Sequence, residues 1–259
     1  TTRPISQSLQ RLDAAHESIF GNSSSAHFVG RKAQDIFEDS QAKLARHFNV
    51  QPSHVIFTSG GTESNNLAIW GALGGLEKAI GWLKSNTDSQ VITTVAEHDA
   101  TKKVVECLEH NGAKTVWLGL DNEGFVNLTQ LETALATRTK LLTLHHGQNE
   151  IGVVQDIKAI STLVRRHQPD ALIHIDAIQS FLKVPVDFSM GVDLISISGH
   201  KFGAPKGIGA LILGPRFDNR KPKLETLILG SPQQSGIRPG TVPVPQISSL
   251  VAAVELGLE

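Results

Sequence analysis

The stretch ISISGHKFGAPKG, residues 195–207, indicates the fold class of this chain. Residues 195–198 alternate isoleucine with serine, as in a half-buried or buried strand, and they run directly into Gly199, His200 and Lys201. A lysine on a solvated surface needs neither so apolar an approach nor glycines on both sides. The stretch therefore predicts a core strand that ends at a site where Lys201 has a chemical task.

Short apolar segments and helical segments alternate along the chain, which predicts an α/β fold: a mostly parallel sheet of the seven-stranded type, covered by helices on both faces. Strands are predicted at 55–58, 90–95, 114–119, 139–145, 171–176, 193–197 and 208–213. Helices are predicted within 33–48, from Asn65 to Lys84, and at 99–111, 127–137, 156–167 and 247–257. Six of the eleven prolines lie in 214–246, which predicts an extended loop.

Composition excludes several classes of function. The formal net charge is −1 and the pI is about 6.8, which favours neither nucleic acid nor an anionic membrane as a partner. No apolar run approaches the ~18 residues of a membrane helix, and no secretory signal is visible. The single cysteine, Cys107, cannot form an internal disulfide. These features predict a cytoplasmic protein, and no cluster of residues predicts a metal site.

Polar residues collect where five of the predicted strands end, at 60–62, 97–98, 146–149, 176 and 200–201. Ligands of open parallel sheets bind at the carboxyl ends of the strands. The five groups therefore predict one binding site assembled from several loops.

For three of these groups, the residue types indicate a specific ligand or reaction, and each group also has an ordinary structural explanation. The segment TSGGTESNN, 58–66, predicts a phosphate site, because free N–H groups and the helix dipole favour an anion at a helix N-terminus; a helix cap at Thr62 is the alternative. Asp176 ends an apolar strand, so it pairs with a cation or caps the next turn. Lys201 is a candidate nucleophile or Schiff-base partner, although most lysines are surface residues.

The remaining candidates are polar side chains with weaker signals. His98 can stack on a ring or transfer protons, and Asn149 and Gln179 can donate to a ligand oxygen, but each can equally be a satisfied turn residue. Together the candidates fit pyridoxal 5′-phosphate (PLP), with its phosphate at 60–62, its ring nitrogen at Asp176 and its aldehyde carbon at Lys201.

The chain resembles the class V aminotransferase-fold enzymes, and most of all the cysteine desulfurases of the NifS and IscS type. The resemblance rests on GNSSSAH, VIFTSGGTESNNLAI, AEHDA, NEIGVVQDI, IHIDAIQS, ISGHKFGAPKGIGAL and IRPGTVPVPQI, which follow the order of the family from Gly21 to Ile247. It implies the large domain of a PLP-dependent transferase of fold type I.

The resemblance also implies a role for each site residue. Lys201 matches the Schiff-base lysine, Asp176 the partner of the pyridinium nitrogen, and His98 the residue that stacks on the ring and helps to move protons. The other matching positions are Gly61, Thr62, Ser198 and His200 for the phosphate, Asn149 and Gln179 for the ring oxygen, and Thr241 for the phosphate of a neighbouring subunit. The match at Thr241 implies a homodimer.

Four positions depart from the family pattern. Gly61 stands where the family commonly has alanine, in GAT, and Ile178 replaces a small or hydroxylated residue. Gln148 stands where asparagine is usual, and Pro239 where serine is usual. None of these changes removes a predicted cofactor contact.

The resemblance leads to expectations about domains. We expect residues 1–20 to be the remnant of a small domain or arm and residues 21–259 to form the PLP-binding large domain. The C-terminal small domain is expected to lie outside this chain, together with the cysteine loop that takes up the substrate sulfur. Cys107 lies in the predicted helix 99–111 at the spacing of Val104 and Leu108, so we expect it to be buried and inert.

The implied activity is the conversion of L-cysteine to L-alanine with transfer of sulfur to an enzyme thiol. It would serve iron–sulfur cluster assembly, with a sulfur-acceptor protein as a further partner. A selenocysteine lyase or another class V aminotransferase is an alternative within the same fold. A catalytically inactive scaffold that dimerises or docks a partner is an alternative from another class.

Overall fold

The computed structural model describes residues 1–75, 89–218 and 222–257. Within them, one sheet contains β1 (Val55–Thr58), β2 (Gln90–Thr94), β3 (Lys114–Leu118), β4 (Thr139–His145), β5 (Leu172–Asp176), β6 (Leu194–Ser198) and β7 (Gly209–Leu213). The strand order is β1-β7-β6-β5-β4-β2-β3, and β7 runs in the direction opposite to the other six strands. The predicted mostly parallel seven-stranded sheet is therefore confirmed.

The helices of the same residues are α1 (Ser6–Ser18), α2 (Phe28–Phe48), α3 (Gly61–Ala72), α4 (Asp99–His110), α5 (Leu128–Ala134), α6 (Ile157–His167) and α7 (Val244–Gly257). The helix predicted from Asn65 to Lys84 overlaps α3 as far as Ala72, and its part beyond residue 75 lies outside the described residues. Across the described chain, each helix is too short or too polar to span a lipid bilayer.

Two apolar cores lie on the two faces of the sheet because side chains alternate along each strand. In β5, Ile173 and Ile175 pack into one core and Leu172 into the other. The first core includes side chains of α1, α2, α5, α6 and α7, and the second includes side chains of α3 and α4. The sheet is thus covered on both faces, as the apolar strands predict.

The helix α1 has no counterpart in the sequence prediction. It buries little apolar surface, and its buried residues are Ser8 and Ala15. The Ser8 hydroxyl donates to the Ser249 carbonyl of α7 at 2.9 Å, and the Ser249 hydroxyl donates to the Ser8 carbonyl at 2.7 Å. Small residues and paired hydroxyls hold α1 against α7, so an apolar stripe is not needed. The division into residues 1–20 and 21–259 stays a prediction.

The reversal of β7 determines where the loops meet. β6 connects to β7 through 199–208, and Ser198 pairs with Gly209, so the two strands form a long hairpin. β1 is antiparallel to β7 and consequently runs in the same direction as β6. The carboxyl ends of β1, β2, β3, β4, β5 and β6 therefore lie at one edge of the sheet.

A buried histidine links three strands in the interior. The His174 ring lies between Thr143 of β4 and Ser196 of β6, with 2.8 Å from Nδ1 to the Thr143 hydroxyl and 2.8 Å from Nε2 to the Ser196 hydroxyl. Its complete burial lowers the pKa of His174 to about 3, because a charged imidazolium there would lose its hydration. The folded protein therefore holds His174 neutral.

We expect His174 to make folding stability depend on pH. The unfolded histidine takes up a proton near pH 6.5, whereas the folded one does so only near pH 3, so its contribution is complete above pH 6.5 and is lost as the pH falls. Between pH 7 and pH 5 this residue should cost about 2 kcal/mol of unfolding free energy. Urea unfolding of wild type and His174→Gln at both pH values measures it, and an equal pH dependence in the two proteins would contradict the expectation.

Candidate active site

A cavity of about 230 Å³ opens at the carboxyl edge of the sheet. Nine of the ten predicted site residues line it: Gly61, Thr62, His98, Asn149, Asp176, Gln179, Ser198, His200 and Lys201. The tenth, Thr241, is exposed and does not line the cavity. The structure thus brings the five groups of strand-end residues together around one space.

Asp176 lies at the end of β5 with its side chain buried. Its Oδ1 accepts the Ile178 N–H at 3.0 Å, and its Oδ2 accepts from the Asn65 amide at 2.7 Å. Burial raises the pKa of Asp176 even though these two donors oppose the change. The carboxylate therefore caps the following turn, as the ordinary alternative predicts, and still favours a proton or a cation beside it.

Asn65 of α3 is a site residue that the sequence analysis did not identify. Its side chain is fully buried, and its Nδ2 donates both to Asp176 and to the Thr101 hydroxyl, the latter at 3.2 Å. The available signal was an asparagine inside a helix that is otherwise packed against the sheet, where a polar side chain needs a partner. Asn65 orients the Asp176 carboxylate from a neighbouring helix.

The conformation of the loop that carries Lys201 requires the glycines on either side of it. A Cβ on Gly199 would lie 2.9 Å from the Ala204 Cβ, and Gly203 has a φ of +91°, in the left-handed region that glycine adopts without strain. The N-terminal segment closes over the loop: the Thr2 N–H donates to the His200 carbonyl at 2.7 Å, and the Gly203 N–H donates to the Thr2 hydroxyl at 2.8 Å. The backbone on both sides of Lys201 is thereby fixed.

The start of α3 provides a place for an anion. Gly60 precedes the helix with a φ of +150° and no side-chain cap, so Thr62 is not the helix cap. The Ser198 hydroxyl lies beside this turn and is buried without a hydrogen-bond partner among the described residues. A free hydroxyl and free N–H groups at the positive end of a helix fit a phosphate group.

Two of the departures from the family pattern occupy the same space. A Cβ on Gly61 would lie 2.1 Å from the Ile178 Cδ1. The glycine therefore makes room for the larger isoleucine, and the two residues together shape the wall of the cavity.

Positive charge surrounds the Lys201 end of the cavity. Burial lowers the pKa of His200, and the charges of Lys201 and Lys206 lower it further. The His200 Nδ1 lies 2.9 Å from the Thr1 hydroxyl. The cavity thus combines a cationic loop with the buried acid Asp176.

His98 is exposed at the rim and also caps α4. Its Nδ1 accepts the Ala100 N–H at 3.0 Å, so in the neutral ring the proton lies on Nε2. A ring that is fixed at its Nδ1 edge can still present its face to a planar ligand. The cap determines the tautomer of His98 independently of any ligand.

Asn149 and Gln179 have side chains with no hydrogen bond to other described residues. The turn after β4 is closed instead by Gln148, whose Oε1 accepts the Ile151 N–H at 2.9 Å. The suggestion that Asn149 caps this turn is therefore wrong, and its amide remains available to a ligand.

The structure corrects the expectation for Cys107. Its side chain is exposed on α4, where its sulfur accepts from the Asn111 amide at 3.7 Å. Cys107 lies eight residues after the first residue of α4, about 12 Å along the helix from the rim of the cavity. Within the described ranges, no group of three histidine, cysteine or acidic side chains is arranged to hold a metal ion.

Comparisons with known proteins agree with this geometry. The chain matches the family described as aminotransferase class-V over residues 1–257. It is 37% identical over 240 residues to a cysteine desulfurase IscS of Dictyoglomus turgidum, covering 92% of this chain and 57% of that protein. It is 35% identical over 252 residues to a putative cysteine desulfurase IscS 1 of Bacillus subtilis, covering 97% of this chain and 62% of that protein. The chain thus spans less than two thirds of the length of these relatives.

Solved structures give the same result. A NifS-like protein superposes with a TM-score of 0.89 at 30% identity, covering 100% of this chain and 68% of that one. A structure described as SspA in complex with cysteine superposes with a TM-score of 0.88 at 36% identity, covering 98% of this chain and 70% of that one. The fold of this chain is therefore shared with both proteins over nearly its whole length.

We expect Gly61 and Ile178 to be energetically coupled. Gly61→Ala should destabilise the protein by about 1–3 kcal/mol, because its Cβ would overlap the Ile178 side chain. In an Ile178→Ala background the same change should cost nothing or stabilise the helix start. Denaturant unfolding of the two single variants and the double variant measures the coupling, and simple additivity would show that the overlap is relieved in another way.

Proposed function

The chain belongs to the class V aminotransferase family, whose enzymes depend on pyridoxal 5′-phosphate, and we propose that it is the cofactor-binding part of a cysteine desulfurase. Such an enzyme removes the sulfur of L-cysteine and leaves L-alanine. The observation that carries the proposal is the placement of a buried acid, Asp176, and a lysine, Lys201, on one cavity. The names of the similar proteins, and a neighbour solved with cysteine, support this substrate.

The residues of the cavity fit the proposed cofactor. The Ser198 hydroxyl, which is buried without a partner among the described residues, and the N–H groups of Gly61 and Thr62 would bind the phosphate. The raised pKa of Asp176 suits a carboxylate that holds a protonated ring nitrogen. Asn149 and Gln179 would contact the ring oxygen, and His200 lies where it would add to the phosphate site.

When bound, the cofactor would supply an electron sink for the carbon next to the substrate amine. The task of the chain is then to anchor the cofactor and to handle protons. Lys201 would hold it covalently through Nζ and, once displaced by substrate, would carry a proton at the same atom. His98 would cover the ring, with its proton kept on Nε2 by the helix cap at Nδ1.

The proposal includes partners and a location. Thr241 is exposed and outside the cavity of its own chain, which agrees with a role at the phosphate of a second subunit and hence with a homodimer. An ion pair attaches the segment that contains Thr241 to α3, with 2.8 Å between Arg238 Nε and Glu63 Oε1. A sulfur-acceptor protein, a role in iron–sulfur cluster assembly and a cytoplasmic location stay predictions from the resemblance.

The proposed anchor can be tested by covalent trapping. Protein mixed with PLP should develop a visible absorption band, and borohydride reduction should fix the cofactor on Lys201, as peptide mass spectrometry would show. Lys201→Ala should lose the fixed adduct. Lys206→Ala is the matched control, because Lys206 is an exposed lysine of the same loop and does not line the cavity. A protein that takes up no PLP would refute the proposed function, and an adduct that persists in Lys201→Ala would identify another anchor.

We also expect Cys107 to have no part in sulfur transfer. Its thiol is exposed on α4 and does not line the cavity, so we expect it to lie out of contact with a substrate held at Lys201. In any preparation of the protein that releases sulfide from L-cysteine, Cys107→Ser should leave the rate unchanged within about twofold. Loss of sulfide release in that variant would make Cys107 the acceptor thiol.

A further inference from the structure

A second acid, Glu97, lies behind the cavity with its side chain fully buried. Its Oε1 accepts three hydrogen bonds, from the Thr94 hydroxyl at 2.6 Å, the His145 N–H at 3.1 Å and the His145 Nδ1 at 2.9 Å. Its Oε2 is buried and has no partner among the described residues. Glu97 therefore has an unbalanced set of contacts that the proposed function leaves unexplained.

The hydrogen bonds around His145 determine where the proton lies. The Gln155 amide is oriented by two backbone groups, because its Oε1 accepts the Val126 N–H at 2.9 Å and its Nε2 donates to the Gly124 carbonyl at 2.9 Å. Its NH₂ group therefore faces the His145 Nε2, at 3.3 Å, and that nitrogen is an acceptor. His145 carries its proton on Nδ1 and is neutral, with the Nδ1–H donated to Glu97.

A neutral His145 leaves the negative charge on Glu97. Three donors converge on Glu97 Oε1, which is the arrangement that a carboxylate oxygen accepts. Among the described residues, His145 is the one ion-pair partner that Glu97 has. Glu97 is thus a buried carboxylate without a compensating cation.

The charge of Glu97 affects the part of the cavity that Asp176 lines. His145 of β4 and Asp176 of β5 are directly paired in the sheet, and both line the cavity. After burial and the two opposing hydrogen bonds, the charge of Glu97 contributes to the raised pKa of Asp176. Two buried carboxylates therefore lie at the carboxyl ends of β2 and β5, the strands on either side of β4.

We propose that Glu97 is a positioning residue. Its negative charge, next to His145, makes the cavity bind a ligand ring that has a protonated nitrogen more tightly than a ring of the same shape that has no nitrogen. This inference rests on the proposed function, since it concerns the same cofactor. Asp176 would contact the ring nitrogen directly, and the charge of Glu97 would favour the protonated form of that nitrogen. An ordinary structural role for Glu97, tying β2 to β4, would instead affect any ring of the same shape equally.

The experiment compares two ligands on the protein freed of cofactor. The first is PLP, and the second is its benzene analogue, in which C–H replaces the ring nitrogen. Dissociation constants are measured by fluorescence titration for wild type and for Glu97→Gln, which keeps the shape of the side chain and removes its charge. We expect Glu97→Gln to weaken PLP about tenfold, the equivalent of one pKa unit at the ring nitrogen, and to change binding of the analogue by less than about twofold.

Two further variants keep the test decisive. Thr94→Val removes one donor to Glu97 without changing charge, and it should keep the wild-type preference for PLP. Glu97→Met also removes the charge at a similar side-chain length, so its preference for PLP should fall as in Glu97→Gln, and this variant replaces Glu97→Gln should that protein fail to fold.

The outcomes separate this inference from the proposed function. Wild type that binds neither compound would overturn both. Wild type that prefers PLP, together with Glu97→Gln that loses affinity for both compounds equally or for neither, would overturn the role of Glu97 alone. A selective loss of PLP in Glu97→Gln would support it.

Discussion

The chain balances the charge of Asp176 only in part, and the arrangement of the cavity depends on that imbalance. The Ile178 N–H and the Asn65 amide occupy its two oxygens, yet burial still raises the pKa of the carboxyl group. A buried carboxylate in this condition attracts a proton or a cation. Because β5 lies at the centre of the strand order, Asp176 attracts positive charge to the middle of the sheet edge where the other polar residues meet.

The sheet topology keeps the lysine beside that acid. β7 returns directly alongside β6, so the loop 199–208 stays over the strand ends instead of leading away into a crossover helix. Packing then fixes the loop, since Phe202 lies edge-on to Phe181 with 5.2 Å between ring centres, and Thr2 binds the backbone on both sides of Lys201. The same hairpin brings Ser198 to the start of α3, where an anion would bind.

The sequence predicts the sheet well because its strands are short, apolar and separated by turn residues. It predicts the cavity edge for the same reason, since polar residues such as Asp176 and His98 stand where apolar strands end.

Asn65 could not be assigned, because its partner lies 111 positions later in the chain. The helix α1 was missed since it packs through Ser8 and Ala15 instead of an apolar stripe. Cys107 lies roughly 90° from the centre of the buried arc of α4, so its apolar neighbours were misleading.

The shared space of Gly61 and Ile178 has a consequence for the history of the site. If an ancestor carried the alanine that is common in this family, isoleucine at 178 would have entered at a cost in stability, since a Cβ at position 61 lies 2.1 Å from the Ile178 Cδ1 as that side chain is placed here. The order that avoids this cost has glycine before isoleucine. Once isoleucine filled the gap, a return to alanine would carry the same cost in stability, so the order of the two changes matters. Ancestors along this lineage are therefore expected to show the glycine earlier than the isoleucine.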